Sequence, residues 1–491
     1  MELKNYIMNY YKKLLVGIVL ITSLLSCKKS FLDNVSEQGT LIRQDYVTDL
    51  KTTNEYLNGV YADMGGNLFH GYHMIYPELI ADNVKPVSGS STNVPLGIHY
   101  NWSQQADESS SAVTVSSSAV NFNGFSYGAY RVIRSASYVL EKADEYRSQD
   151  PAVADAIKGQ AYAIRALSHF LLVNVFAQSY NFTPDASHPG VAYVTTSNWT
   201  MPVNNRNTVA EVYLNLVSDL NNAISLLPAT SSNTLVMNRN AARALLSRVY
   251  LFKGNWLLAK NLARQVGTAV PIMVTNYPAK LFTLTETEAL FQLPPSAGAI
   301  NGYATNFASR YYRPTILFLA TSDVSTLLNE DANDARKVWV ASAVVSGITQ
   351  WNVIKFPTAV VPEVSGGGSY YQTVIRSSEM YLTAAEAYAQ LNNTDSAGFY
   401  LDAIRKRANP TVTATTLTGS ALLESIYKER RKELAFEGFR MFDLLRWKKG
   451  VNRADALSAA TQVLPYPSNN AIAPIPALDV KVSGLVQNLD Y

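Results

Sequence analysis

Gly124-Phe125-Ser126-Tyr127-Gly128 has the spacing of a nucleophile elbow, where a strand delivers a serine to a sharp turn and a helix leads away. That chemistry needs a histidine later in the chain. All five histidines (His70, His73, His99, His169 and His188) fall within the first 188 residues, and no strand–helix alternation surrounds the motif. The stretch therefore reads as the turn that starts a helix. His70 and His73 are spaced like half of a metal site, but neither HExxH nor CxxC accompanies them, so they read as loop histidines. "NEDANDAR" (329–336) has acidic residues at calcium-loop intervals yet lacks the turn glycine and the closing glutamate, which favours a solvated turn or a helix cap. Gly366 to Gly368, within "SGGGS", follow no strand and make no dinucleotide loop. No cofactor is expected, and calcium has no support in the sequence.

"ERRKELAFEGFRMFDLLRW" (429–447) is the densest charge cluster, with nine charged residues in nineteen in a chain that is 16% charged. Gly438 divides it into the end of one helix and the start of another. Helical spacing predicts the pairs Glu429 with Lys432, Arg430 with Glu433, Glu437 with Arg440 and Asp443 with Arg446. A catalytic carboxylate needs a distinctive environment, whereas one beside arginine is held ionised. The block accordingly reads as a partly buried ion network clamping a helix corner.

The elements around these residues are mostly helical. A helical segment lies near 47–64, followed by loops with short strands over 65–123, where "SSSAVTVSSSAV" is nearly low-complexity. From Tyr127 a 3.6-residue pattern takes over, resumes after Pro151, and recurs from Thr208 to Leu227. Tyr250, Gly254, Trp256, Ala259 and Ala263 match the tetratricopeptide helix-turn-helix, and Tyr388, Asn392, Ala397 and Leu401 repeat its offsets 138 residues later. Residues 271–372, rich in Pro, Gly, Asn and aromatics, separate the copies. The predicted fold is mainly α: tetratricopeptide-like pairs form a scaffold, and an irregular, loop-rich half with short strands carries function.

Net charge is +3, and +1 without residues 1–26, so no polycationic footprint for nucleic acid exists. Lys12 and Lys13 precede "LLVGIVLITSLL", an apolar run of about a dozen residues, shorter than a membrane span and suited to a secretory signal. It ends at Leu24-Leu25-Ser26-Cys27, a lipobox-like sequence holding the chain's one cysteine. Residues 1–26 are thus expected to be a lipoprotein signal peptide, and Cys27 the site of lipidation and membrane anchoring.

The ERRKELAFEGFRMFDLLRW block, Cys27 followed by Phe31-Leu32-Asp33, and the stretches "YRVIRSASYVLEKA", "RALSHFLLVNVFAQ", "IRSSEMYLTAAEAYAQL" and "LPYPSNNAIAPIPALDVKVSGLVQNLDY" together resemble the SusD/RagB family of outer-membrane nutrient-binding lipoproteins. The tail departs slightly, ending Asn488-Leu489-Asp490-Tyr491 where similar members often carry a glycine-bearing motif. The resemblance implies an N-terminal region over 27–225 and a C-terminal region over 226–491 packed into one discontinuous unit. It also implies a non-catalytic protein on the outer membrane, facing outward, that passes an oligosaccharide or other nutrient to a SusC-like TonB-dependent β-barrel transporter.

Sugar rings present C–H faces to aromatic rings and hydroxyls to polar rims. The candidate ligand residues are therefore Tyr100, Asn101 and Trp102; Arg310, Tyr311 and Tyr312; and Trp351, with Tyr72, Asp82 and Asn83 as companions and Trp199 as a weaker candidate. Packing between loop and scaffold is the alternative for each aromatic. Two other functions fit parts of the sequence: a surface-attached glycoside hydrolase, which needs two carboxylates roughly 5 to 10 Å apart, and a periplasmic tetratricopeptide adaptor.

Overall fold

Gly254 ends the helix Arg239–Lys253 in the left-handed region (φ 75°), and Asn255 opens Trp256–Ala269 by accepting a hydrogen bond from the Leu258 N–H at 3.2 Å. Asn392 (φ 58°) and Asn393 repeat the step between Ser377–Gln390 and Thr394–Ala408, where Asn393 accepts from Ser396 N–H at 3.1 Å. In both turns the N–H of the capping asparagine, Asn255 or Asn393, closes onto a tyrosine carbonyl, Tyr250 or Tyr388, at 2.9 Å. Ala259 and Ala397 follow, fully buried, as the small residues of the two helix crossings.

The computed structural model describes residues 46–65, 69, 71–87, 97–104, 122–198, 205–230, 232–294, 311, 316–357 and 370–491. Within Asp49–Tyr491, which forms one unit, the order is α1 (Leu50–Asp63), α2 (Gly71–Leu79), β1 (Val84–Pro86), α3 (Gly97–Tyr100), α4 (Phe122–Glu145), α5 (Pro151–Phe176), α6 (Val209–Leu226), α7 (Arg239–Lys253), α8 (Trp256–Ala269), β2 (Ala289–Leu293), β3 (Phe318–Ala320), α9 (Ser322–Leu328), β4 (Val340–Val345), β5 (Ile348–Val353), β6 (Gln372–Arg376), α10 (Ser377–Gln390), α11 (Thr394–Ala408), α12 (Gly419–Glu433), α13 (Arg440–Arg446), β7 (Val451–Asn452), β8 (Val463–Leu464) and α14 (Ala477–Ser483). The protein is mostly helical with a few short strands.

Each long helix packs on the next: α4 on α5, α5 on α6, α6 on α7, and α7 on α8. The stack then crosses the interruption in sequence, because α8 packs directly on α10, which carries α11 and α12. The seam is held by Arg248 of α7, whose Nε and Nη2 both lie 2.6 Å from the buried carboxylate of Glu379. Residues 271–372 thus leave the helical stack and return to it. They supply β2, which pairs antiparallel with β6, and most of a four-stranded antiparallel sheet ordered β1-β3-β5-β4. Ser346 (φ 51°) and Gly347 (φ 77°) make the two-residue turn of the β4–β5 hairpin, the left-handed pair that matches strand twist.

The serine motif lies inside α4 rather than on an elbow, and Ser126 Oγ donates to Asp479 Oδ2 at 3.0 Å. His169 is buried in α5 and neutral: Nδ1 donates to Arg165 O at 2.9 Å and Nε2 accepts from Val194 N–H at 3.0 Å. Burial lowers its pKa to about 3.

Candidate functional site

Asp82 and Asn83 follow α2 and are almost fully buried. Glu78, one turn earlier, accepts from Asn83 Nδ2 at 2.7 Å and from the N–H groups of Gly438 and Phe439 at 2.8 and 2.9 Å, which fixes the corner before α13. Arg440, at the start of α13, grips Asp82 with Nε and Nη2 at 2.6 and 2.9 Å. Arg431 of α12 donates to Asn83 Oδ1 at 2.9 Å and lies 3.3 Å from Asp82 Oδ2. Burial alone would raise the Asp82 pKa, but the two guanidinium charges overcome it and hold the carboxyl near 2.

Tyr100 and Trp102 were expected to stack on ligand, and the structure places them otherwise. Their exposures are 0% and 7%. Arg453 lies between them, 4.0 Å from one ring centre and 4.1 Å from the other. The guanidinium donates to the carbonyls of Leu79, Ala81, Tyr100 and Thr461. The aromatic pair thus replaces water around a buried cation. Trp102 adopts a left-handed backbone (φ 53°), and its Nε1–H donates to Ile80 O at 2.9 Å. Tyr311 is likewise framework, 1% exposed and stacked on Phe356 with ring centres 6.0 Å apart. Asp82 and Asn83 serve the arginines rather than open solvent.

Trp351 differs. It sits on β5 opposite Ala320 and Ser342 and is only partly buried. Asn101 is also half-buried. Arg310, Tyr312, Trp199, His70, Gly366 to Gly368 and Cys27 lie outside the described residues, as do the side chains of Tyr72 and His73 on α2.

The 429–447 block forms an ion network, but mostly not with the predicted partners. Asp443 does meet Arg446 at 2.8 Å. The other charges reach across the fold: Glu429 to Arg336 at 2.7 Å, Arg430 to Asp443 at 2.8 Å, Lys432 to Asp334 at 2.7 Å, and Glu433 to Arg376 and Arg407, each at 2.7 Å. Glu437 takes Arg376 at 2.7 Å and Lys355 at 2.6 Å, while Arg440 goes to Asp82. Glu429, Lys432, Arg430 and Glu433 all lie on α12 but are claimed by partners outside it, whereas Glu437 lies in the corner after α12, where the chain turns through Phe436 (φ 70°) and Gly438 (φ 86°) before α13. Burial would raise the Glu433 pKa, but Arg407, Arg376 and Arg336 drive it well below the usual range. These carboxylates are fixed as anions and occupied by cations. Asp334, in the stretch with calcium-loop spacing, caps Arg336 N–H at 2.9 Å and is held near 2 by Arg336 and Lys432 against its burial.

The same block builds an open cleft that sequence reasoning missed. It lies against α9, α12 and α13, measures about 400 Å³, and is lined by Arg431, Arg440, Tyr427, Trp447, Lys428 and Asp323 among others. Tyr427 and Trp447 stack with ring centres 3.9 Å apart, and Trp447 Nε1–H donates to Glu386 at 3.1 Å. Arg431, four residues after Tyr427 and three after Lys428, was the available signal of a shared helix face.

The model of a family described as starch-binding and associating with the outer membrane matches residues 33–251, and that of the SusD family matches residues 328–488. SusD-like protein P25 of Formosa agariphila is 22% identical over 88% of each chain. A SusD superfamily protein from Bacteroides thetaiotaomicron superposes with a TM-score of 0.77 at 26% identity, covering 90% of this chain and 100% of that one. A laminarin-binding SusD-like protein, 21% identical, shares the fold with a TM-score of 0.68 over 90% of this chain and 100% of its own. The family blocks read from the sequence, the helical stack and the two matched regions agree: the chain belongs to the SusD/RagB family.

Proposed function

We propose that this protein captures a glycan at the outer membrane, while anchored through Cys27, and passes it to a TonB-dependent β-barrel transporter. The observation that carries the reading is membership of a family whose matched model is described as starch-binding and associating with the outer membrane. Its geometry suits binding: many of the scaffold's buried charged groups are locked in ion pairs, while Trp351 on β5 is only partly buried. Trp351 and Asn101 are the described residues best placed to touch the sugar, with Tyr72, Arg310, Tyr312 and Trp199 as further candidates.

Laminarin is the first glycan to test, because a relative of the same fold binds it. Calorimetry and affinity electrophoresis against a glycan panel should find a ligand, and Trp351→Ala should weaken it about tenfold, roughly 1.4 kcal/mol, with an unchanged circular dichroism spectrum. Solubilised membranes should yield the barrel with the tagged protein. Absence of both ligand and barrel, or sugar release by the purified protein, would overturn the proposal.

A further inference from the structure

We propose that the cleft against α9, α12 and α13 is a subsite for an oxyanion carried on a saccharide, held by Arg431 and Arg440. The inference rests on the glycan-binding reading and adds the class of sugar.

The fold spends only the inner edge of each guanidinium. Arg440 commits Nε and Nη2 to Asp82, and Arg431 commits Nε to Asn83 and Nη2 to Asp82 O at 2.9 Å. Among the described residues, Nη1 of neither arginine has a hydrogen-bond partner, and both residues line the cleft. Two cations therefore share one carboxylate. Burial and the neighbouring Arg440 charge lower Arg431 to about 10, still protonated at neutral pH. Arg453, within electrostatic reach of Asp82, forms no ion pair among the described residues and adds a further cation.

Elsewhere on the wall Lys428 pairs with Glu330 and Lys449 with Glu424, both at 2.6 Å, and Asp323 is a further carboxyl group within electrostatic reach of Arg431. Asp323 is partly used, its Oδ2 accepting from Ala454 N–H at 2.9 Å. An incoming oxyanion thus finds two oriented guanidiniums already desolvated by the fold, the arrangement arginine is suited to. The Tyr427–Trp447 pair gives an apolar wall beside them, where the C–H edge of a sugar ring can pack. The cleft's volume lies within the range of small-ligand sites.

Calorimetry on the purified chain would use tri-galacturonate, its neutral methyl ester, galactose 6-sulfate and inorganic sulfate. At least one acidic sugar should bind, tri-galacturonate should exceed its ester about tenfold, and the difference should shrink as salt shortens the Debye length below about 8 Å. Thr326 is exposed, lines the cleft and takes part in none of the buried ion pairs. Thr326→Glu should weaken the acidic sugar about fivefold or more without shifting the melting temperature or the affinity for a neutral glycan bound elsewhere. Equal binding of acid and ester, no binding of either acidic sugar, or indifference to Thr326→Glu each removes the subsite while leaving the glycan reading intact. Sulfate binding as tightly as the sugars would show a free-anion site and overturn the saccharide assignment. Failure of every neutral glycan bears on the proposed function alone.

Discussion

Glu286 is a buried carboxyl with no ion pair among the described residues. Its Oε2 accepts from Phe282 N–H at 2.6 Å and Thr373 Oγ1 at 2.7 Å, while Oε1 has no partner among the described residues. Burial and the adjacent Glu288 charge raise its pKa from 4.5 to about 8. Glu288 meets Arg376 and Arg407, at 2.7 and 2.8 Å, whereas Glu286 meets neither. A carboxyl raised on folding contributes stability that is fully present below about 4.5 and is lost as pH climbs through about 8. Glu286→Gln keeps an acceptor for both donors and removes the titration. Its urea midpoint should match the wild type near pH 4, exceed it increasingly up to pH 8, and stay higher beyond, by an amount on the order of a few kcal/mol. A constant offset across that window would mean the carboxyl does not titrate there.

At the scale of elements, the corner between α12 and α13 carries the packing logic. Phe436 and Gly438 both take positive φ, and the Gly438 N–H donates to Glu78 at 2.8 Å. A Cβ on Gly438 would lie 3.0 Å from Met74 Cε and 3.1 Å from Met74 O. Gly419 is a useful contrast, since it too has positive φ (54°) but nothing within 4 Å of a built Cβ. Gly419→Ala should cost only the backbone term, about 1 to 2 kcal/mol, and Gly438→Ala should cost clearly more in urea unfolding, because steric crowding adds to it. Equal losses would mean that Met74 yields freely.

This corner also marks where sequence reading succeeds and stops. The tetratricopeptide offsets at Tyr250 and Tyr388 were legible because they are local: a turn residue, an asparagine cap and a small residue within ten positions. The ion network was legible as a network, since nine charges in nineteen residues of a chain that is 16% charged must be paired to be buried. Its partners were not legible. Helical spacing assigned neighbours, but a left-handed residue at 436 redirects everything after it, and Arg336, Lys355, Arg376 and Arg407 come from elements up to 97 residues away. Aromatic residues in loops misled for a related reason. Tyr100 and Trp102 are loop-proximal in sequence, yet a buried arginine at 453 claims both rings, and no local pattern announces that contact.

On the scale of the whole molecule, the proposed anchor Cys27 precedes the unit Asp49–Tyr491 in sequence, so binding and membrane attachment can be tested separately. Among the described residues no helix is long and apolar enough to cross a membrane. Under the proposed acylation of Cys27, attachment gains about 0.8 kcal/mol per buried CH₂, with one chain marginal and two or more stable. Cys27→Ser should abolish palmitate labelling and move the protein from the membrane pellet to the soluble fraction, with unchanged melting temperature and glycan affinity. Uptake of the glycan by cells should nevertheless fall, because a tethered binder meets the barrel at high effective concentration and a free one does not. If the serine variant still sediments with membranes after a high-salt wash, something other than the thiol holds it there. If it is released but uptake is undiminished, handover does not need a shared membrane surface.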